Sequence, residues 1–339
     1  MCFVGDCFKP PAPQNVLPTR RGLCYPFTNN LEAFMDNQPV RLWIAGSVGI
    51  DDITTPRETR ANQLGGSVSY ACAAASFFTR VGAVGITGED FPPEFTALYQ
   101  KFGIDLAGME RVPGRTFRWT GEYHEDMISR TTLKTDLGVL ERFNPKLPAH
   151  YRAAPYVFLG NMQPQTQLAL LDQAEGRPFV ALDTMNLWIN IAREPLLRVM
   201  KNADVLLLND EEARLLSGLH HLRDCAEAIL EMGPKNLVIK KGEHGALLFT
   251  PGAIAIVPAY PVRCVADPTG AGDTYAGAFM GFLARENKPV TPRLMRDALL
   301  HAAVAASFGV EDFSLNALEN LTPEKIGARF KDFAAMIDP

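Results

Sequence analysis

From residue 40 onward, short runs that are apolar at nearly every position alternate with stretches whose apolar residues recur every three or four positions. VRLWIAGSVGIDDI (residues 40–53) opens the series and reads as a buried strand ending in glycines and acids. RVGAVGITG (80–88), YVFLGNM (156–162), FVALDT (179–184), DVLLLN (204–209) and NLVIKKG (236–242) read likewise. Between them, TQLALLDQAEG and EEARLLSGL carry helical spacing. Strands that lack polar alternation are covered on both faces. The pattern therefore predicts an α/β fold with a mainly parallel sheet between two layers of helices.

One segment breaks the alternation. RTFRWTGEYHEDMISRTTLKTDLG (115–138) reads as two strands around a polar turn near His124–Met127. Phe117, Trp119 and Tyr123 share one face of the first strand, and Arg118, Thr120 and Glu122 the other. A hairpin set into a βα series serves either as a flap or as an antiparallel edge of the main sheet, and the pattern alone leaves both open. Residues 1–38, rich in proline and asparagine and without apolar periodicity, read as an irregular N-terminal extension to a domain at 39–339.

Bulk properties narrow the partners. The chain has 339 residues, is 47% hydrophobic and carries a formal charge of −5, with no Lys/Arg run that would track a phosphate backbone. No nucleic-acid partner is expected, and small molecules are. Six cysteines lie scattered without a CxxC pair, which suits a reducing compartment rather than a disulfide frame or a zinc ribbon. The first residues lack the basic start and apolar core of a secretory signal, and no apolar run approaches the roughly 20 residues of a membrane span. A cytoplasmic protein without a membrane partner is the expectation.

The densest chemistry sits late, in DPTGAGDTYAGAFMGFLA (267–284). A strand-like run, IAIVPAYPVRCVA, precedes the glycines and a helix-like run follows them. The first turn of a helix has backbone N–H groups without acceptors, at the positive end of the dipole. Glycines let such amides approach an anion, so Gly270, Ala271 and Gly272 can form a cradle with Asp273 beside it as a proton acceptor. Read alone, the same residues also make a simple turn, with Asp273 complementing the dipole. The spacing fits neither GxxxxGK[ST] nor GxGxxG, which excludes those two nucleotide-binding loops.

With Asp267, Thr269, Gly270, Ala271, Gly272 and Asp273 in place, the segment closely resembles the carboxy-terminal signature of the PfkB/ribokinase family of sugar and nucleoside kinases. Pro268 stands where threonine is common. The resemblance implies a ribokinase-like three-layer αβα sandwich with a small β-sheet lid, its segments falling near 52–65 and 115–138. It implies that the Gly270–Gly272 loop is an anion hole for the transferring phosphoryl group and that Asp273 is the catalytic base. GSVGIDD resembles the family's first strand and its acid, which makes Asp51 a ligand for substrate hydroxyls. LGGSVSYA resembles the diglycine motif, placing Gly65 and Gly66 at the substrate site. Tyr70 departs from the asparagine often found there, so sugar specificity does not carry over. Arg118, in the lid, joins the substrate candidates.

VLLLNDEEARLL places Asn209 at a strand end and Glu212 three residues on, which is a good helix-capping arrangement in its own right. In the family, N-x-x-E positions magnesium and phosphates, so the resemblance gives Glu212 a water-mediated role toward Mg²⁺. NLVIKKGEHGALLF resembles the K-x-G-x-x-G nucleotide segment, with Gly242 and Gly245 matching and Lys240 in the corresponding stretch, although a tight hairpin turn also accounts for it. Asp267 and Thr269 are expected beside a monovalent cation such as K⁺. Asp183 and Asn186 in LDTMNLW have a spacing unlike the substrate-side residues of sugar kinases and stay outside the candidate set.

The resemblance thus implies an ATP- and Mg²⁺-dependent kinase acting on a hydroxymethyl group of a small polyhydroxy substrate, a sugar first, with a homodimer through the lid. Arg118, Arg130 and Lys134 would suit an anionic sugar, and Tyr70 would stack on a nucleoside base. A non-catalytic sensor that kept the fold is the reading from another class, and acceptor-dependent ATP consumption separates it from the kinases.

Overall fold

In a computed structural model, residues 39–338 are described; the irregular extension read at 1–38 lies outside them. The strands are β1 (Leu42–Ala45), β2 (Gly49–Thr54), β3 (Thr59–Gly65), β4 (Val81–Thr87), β5 (Asp105–Arg111), β6 (Phe117–Tyr123) and β7 (Arg130–Asp136). They continue with β8 (Tyr156–Leu159), β9 (Phe179–Asp183), β10 (Val205–Asn209), β11 (Leu237–Lys240), β12 (Ala246–Thr250) and β13 (Ala253–Val257). Nine form one sheet in the order β13-β12-β11-β10-β9-β8-β1-β4-β5, and four form a second in the order β3-β2-β6-β7. From β5 to β11 the large sheet is parallel, and β12 runs against both of its neighbours.

Successive residues of these strands go to opposite cores, as strand geometry requires. Leu42, Ile44, Phe158, Val205 and Leu207 face one layer of helices, while Trp43, Ala45, Leu159, Leu206 and Leu208 face the other. That two-sided burial is why the strands carry no polar alternation. Among the described residues, no helix is long and apolar enough to cross a membrane.

The run at 40–53 is two strands rather than one. β1 belongs to the large sheet and β2 to the small one. The chain changes sheets at Gly46–Val48, where the Ser47 amide donates to Ser67 Oγ and the Ser67 amide to Ser47 Oγ, tying the break to Ser67. Ile50 and Ile53 are as buried as Leu42 and Ile44, so hydrophobicity carries no mark of the change. The 115–138 hairpin forms β6 and β7, and β6 pairs in parallel with β2 rather than with an edge of the large sheet. The strand-like run at 254–266 is shorter than its composition suggests: β13 ends at Val257, where prolines follow.

Two helices set the site. Ser67–Ser76 and Ala271–Glu286 pack so closely that a Cβ on Gly277 would lie 2.1 Å from the Ala71 carbonyl oxygen, and one on Gly281 2.9 Å from Ala75 Cα. The paired positions advance together, so the helices run in the same direction with their N-terminal ends side by side. The diglycine at 65–66 thereby meets the glycine loop at 270–272.

Candidate active site

The C-terminal ends of β9, β10 and β11 lie next to one another and carry Asp183, Asn209 and Lys240. Asn209 caps the helix Asp210–Ser217: its Oδ1 accepts from the Glu212 amide at 2.7 Å, and Glu212 Oε2 accepts from the Asn209 amide at 2.8 Å. This reciprocal box fixes Glu212 on the site side. Lys240 Nζ donates to Asp183 Oδ2 at 2.9 Å. Burial, reinforced by the charge of Asp183, pushes the Glu212 carboxyl up to about 7, against the opposing pull of Lys240. For Lys240, burial works against the ammonium, but Asp183 and Glu212 outweigh it and hold the group above its ordinary value. Gly242 and Gly245, with φ of +56° and +77°, form the turn that reverses β11 into β12.

The glycine loop closes over these strand ends. Gly270 has φ +73° and caps the helix Ala271–Glu286. A Cβ there would strike the Tyr70 ring at 2.2 Å, which leaves glycine as the residue that fits. The Ala271 amide turns back to the Pro268 carbonyl at 3.2 Å, whereas the Gly270 and Gly272 amides make no backbone hydrogen bond among the described residues. A Cβ on Gly272 would sit 3.1 Å from Lys240 Nζ, so the lysine lies against the loop. The Asp273 side chain, one residue on, makes no hydrogen bond to a described residue. Burial raises its carboxyl to about 7, with Asp183 pushing the same way and Lys240 and Arg130 pulling back. Asp267, only 1% exposed, accepts from the Thr269 amide at 2.8 Å, and Thr269 Oγ1 donates to the Tyr123 hydroxyl at 3.2 Å.

On the other flank, Asp51 leaves β2 toward Gly65. A Cβ on Gly65 would lie 1.9 Å from Asp51 Oδ2. Asp51 is 4% exposed, and its Oδ1 has no hydrogen-bond partner among the described residues. Burial, then the charges of Asp267, Asp52 and Asp273, raise its carboxyl to about 8. The Tyr70 hydroxyl is also buried without a partner among the described residues, and burial followed by Asp267 and Asp51 pushes it well above the usual phenol range. Arg118 is engaged elsewhere, by Asn62 at 3.1 Å and Asp90 at 3.6 Å.

The structure therefore gathers Asp51, Gly65, Tyr70, Asp267, Gly270, Gly272, Asp273, Glu212 and Lys240 around one loop, and leaves Arg118 tied to Asp90. It adds two residues outside the candidate set. Asp183 is the partner of Lys240. Arg130, at the start of β7, is the basic residue of the small sheet whose charge draws down both Asp273 and Glu212. The acid at the end of FVALD was the available signal for Asp183; nothing local marked Arg130 above its basic neighbours.

No three potential metal-ligating side chains gather in one place among the described residues. The free oxygen of Glu212, buried beside other acids, fits a divalent cation reached through water, and the buried Asp267 carboxylate fits a monovalent cation.

Comparison with known proteins places this geometry. The cytidine kinase of Thermococcus kodakarensis is 30% identical over 251 residues, covering 72% of this chain and 88% of that protein. A ribokinase of Staphylococcus aureus is 34% identical over 131 residues, 37% of each chain. Among solved structures, the Arabidopsis thaliana ribokinase complexed with ribose and ATP superposes with a TM-score of 0.70 at 21% identity, over 87% of this chain and 99% of that one. The Methanocaldococcus jannaschii nucleoside kinase does so at 0.69 and 19%, over 87% and 99%. At such identities the structural likeness speaks for the fold. The sequence profile of the pfkB family carbohydrate kinases matches residues 49–320, well over half of the chain, and the chain belongs to that family.

Proposed function

We propose that this chain transfers the γ-phosphoryl group of ATP to a hydroxymethyl group of a small polyhydroxy substrate, a sugar being the first class to test. The observation that supports this most is a helix N-terminus whose Gly270 and Gly272 amides make no backbone hydrogen bond among the described residues, set between Asp51, whose Oδ1 has no partner among them, and a part-buried cation, Lys240. Phosphoryl transfer asks a protein mainly for alignment and charge stabilisation. In this reading Asp51 and the diglycine segment orient the acceptor hydroxyls. The Gly270 and Gly272 amides and Lys240 meet the charge on the γ-phosphoryl oxygens. The acceptor oxygen bonds to phosphorus as the bond to the β–γ bridging oxygen breaks, its electron pair leaves with ADP, and the hydroxyl proton passes to Asp273. Glu212 would hold Mg²⁺ through water, and Asp267 with Thr269 a monovalent cation; the divalent ion supplies charge neutralisation on the phosphates when bound.

A nucleoside acceptor is the second reading. It is favoured by the match to the cytidine kinase, which extends over 88% of that relative, against 37% for the ribokinase. The test is ADP release from ATP with a panel of neutral sugars, polyols, sugar acids, sugar phosphates and nucleosides, with each product identified by phosphorus NMR. Acceptor-dependent turnover yielding a phosphate monoester is the expected result. ATP consumption that no acceptor changes would overturn the kinase reading and favour a sensor.

A further inference from the structure

Lys240 and Asp183 end strands that are not neighbours, because β10 lies between β9 and β11. In register, Lys240 sits opposite Asn209 and Asp183 opposite Leu207. The lysine side chain thus crosses a whole strand to bring Nζ within 2.9 Å of Asp183 Oδ2. Asp183 is itself anchored. Its Oδ1 accepts from the Thr184 amide at 2.7 Å, and its carbonyl accepts from Gln167 Nε2 at 3.4 Å. Both carboxylate oxygens are engaged, so this acid faces a protein cation rather than a ligand. At its far side the ammonium rests against Gly272, where a Cβ would come to 3.1 Å. A lysine side chain has many rotamers, and an unpaired one would leave the loop for water.

We propose that Asp183 is a positioning residue for phosphoryl transfer: it holds the Lys240 ammonium beside Gly272, so that the glycine loop meets the transferring group with a fixed positive charge at its edge. The proposal rests on the kinase reading above. It assigns Asp183 no contact with substrate, only the placement of the group that makes one. The same arrangement explains why an acid stands so near Asp273 and Glu212, where its charge disfavours their ionisation. Without Lys240, Asp183 would bring an uncompensated negative charge to an anion site.

The experiment is a double-mutant cycle in the full chain, with ATP and an acceptor that supports turnover. Removing one preorganised donor costs about 10²–10³ in kcat, the range expected for Lys240→Met. Asp183→Asn keeps the ammonium but frees it, and should lower kcat about tenfold to hundredfold, with the KM for ATP changed less than about threefold. The double variant should fall no more than about threefold below Lys240→Met, because Asp183 acts through the lysine. Asp183→Glu should lie between Asp183→Asn and the wild type, with its melting temperature within a few degrees. Multiplying losses in the double variant, or wild-type kcat in Asp183→Asn, would overturn the proposal while leaving the kinase reading intact. If Asp183→Asn does not fold, wild-type kcat in Asp183→Glu overturns it. Absence of acceptor-dependent turnover in the wild-type chain overturns both.

Discussion

The two flanks of the glycine loop handle negative charge in opposite ways. Toward β9–β11, each acid has an answer: Asp183 is paired with Lys240, and Glu212 is bonded to the Asn209 amide. Toward β2, Asp51 has one oxygen unpartnered among the described residues, and burial followed by the charges of Asp267, Asp52 and Asp273 pushes its carboxyl up, against the pull of the Trp119 amide. A flank built for phosphates needs fixed positive charge, because the ligand brings several negative ones. A flank built for hydroxyls needs acceptors that keep their lone pairs free, and a nearby cation would take them. Under the proposed phosphoryl transfer, the difference assigns the phosphates to one side of the loop and the acceptor hydroxyls to the other.

Asp273 stands where the two meet, its carboxyl pushed up by burial and then by Asp183, and drawn back by Lys240 and Arg130. It is also where the largest effect is expected. Asp273→Asn should lower kcat by about 10²–10⁴, the range for a lost general base, with ATP affinity changed no more than a few-fold. Steady-state kinetics with a nucleotide-binding titration checks both. Turnover near wild type would remove Asp273 from the reaction and, with it, the idea that the flanks share a reacting centre.

Asp51 tests the hydroxyl side. Measured above about pH 8, where the Asp51 carboxyl is ionised, Asp51→Asn should raise the acceptor KM by about tenfold or more, since hydrogen bonds to a charged group contribute about 1.5–3 kcal/mol, and should leave the KM for ATP unchanged. A pH signature accompanies it. The folded-state value of about 8 lies above the ordinary 3.8, so through that window the folded chain binds more protons than the unfolded one. Stability therefore falls as pH rises from about 4 to about 8 and levels beyond. The variant lacks that slope, and its melting temperature should gain on the wild type across the window. A gap that does not change with pH would show that Asp51 keeps a compensating partner and that the flanks are less different than proposed.

How much of this was legible depends on how local each feature is. The parallel strands could be read because a strand buried on both faces is apolar throughout, as in VLLLN. The break between β1 and β2 could not, because the chain passes from one buried sheet to another at Gly46–Val48 without a polar marker. Gly270–Asp273 lie together in sequence, and so do Asn209 and Glu212, so their chemistry shows in a short window. The loop's own use of the Ala271 amide does not show there, because it depends on how the turn closes on Pro268. Asp183 and Lys240 are 57 residues apart and meet only through the order of the strands. Arg130 looked like any basic residue of an exposed hairpin until β6 and β7 joined β2 over the site.

The smallest effect, and the cleanest check that the flanks are separable, comes from the cap. Asn209→Ala removes the acceptor for the Glu212 amide but leaves the Asn209 backbone amide bonded to Glu212 Oε2. Half of the box survives, so stability should fall by about 1 kcal/mol, within the 0.5–2 kcal/mol usual for a lost N-cap. For a domain this large, that is a drop of only about 2–4 °C in melting temperature. The loosened first turn carries Glu212, so the KM for ATP should rise a few-fold. The acceptor KM should not move, because Asp51 and Gly65 belong to β2 and β3 of the small sheet, whereas this helix follows β10 of the large one. An acceptor KM that rises together with that for ATP would mean that a disturbance at β10 reaches β2 through the glycine loop, and the cleft would then act as one unit rather than two sides.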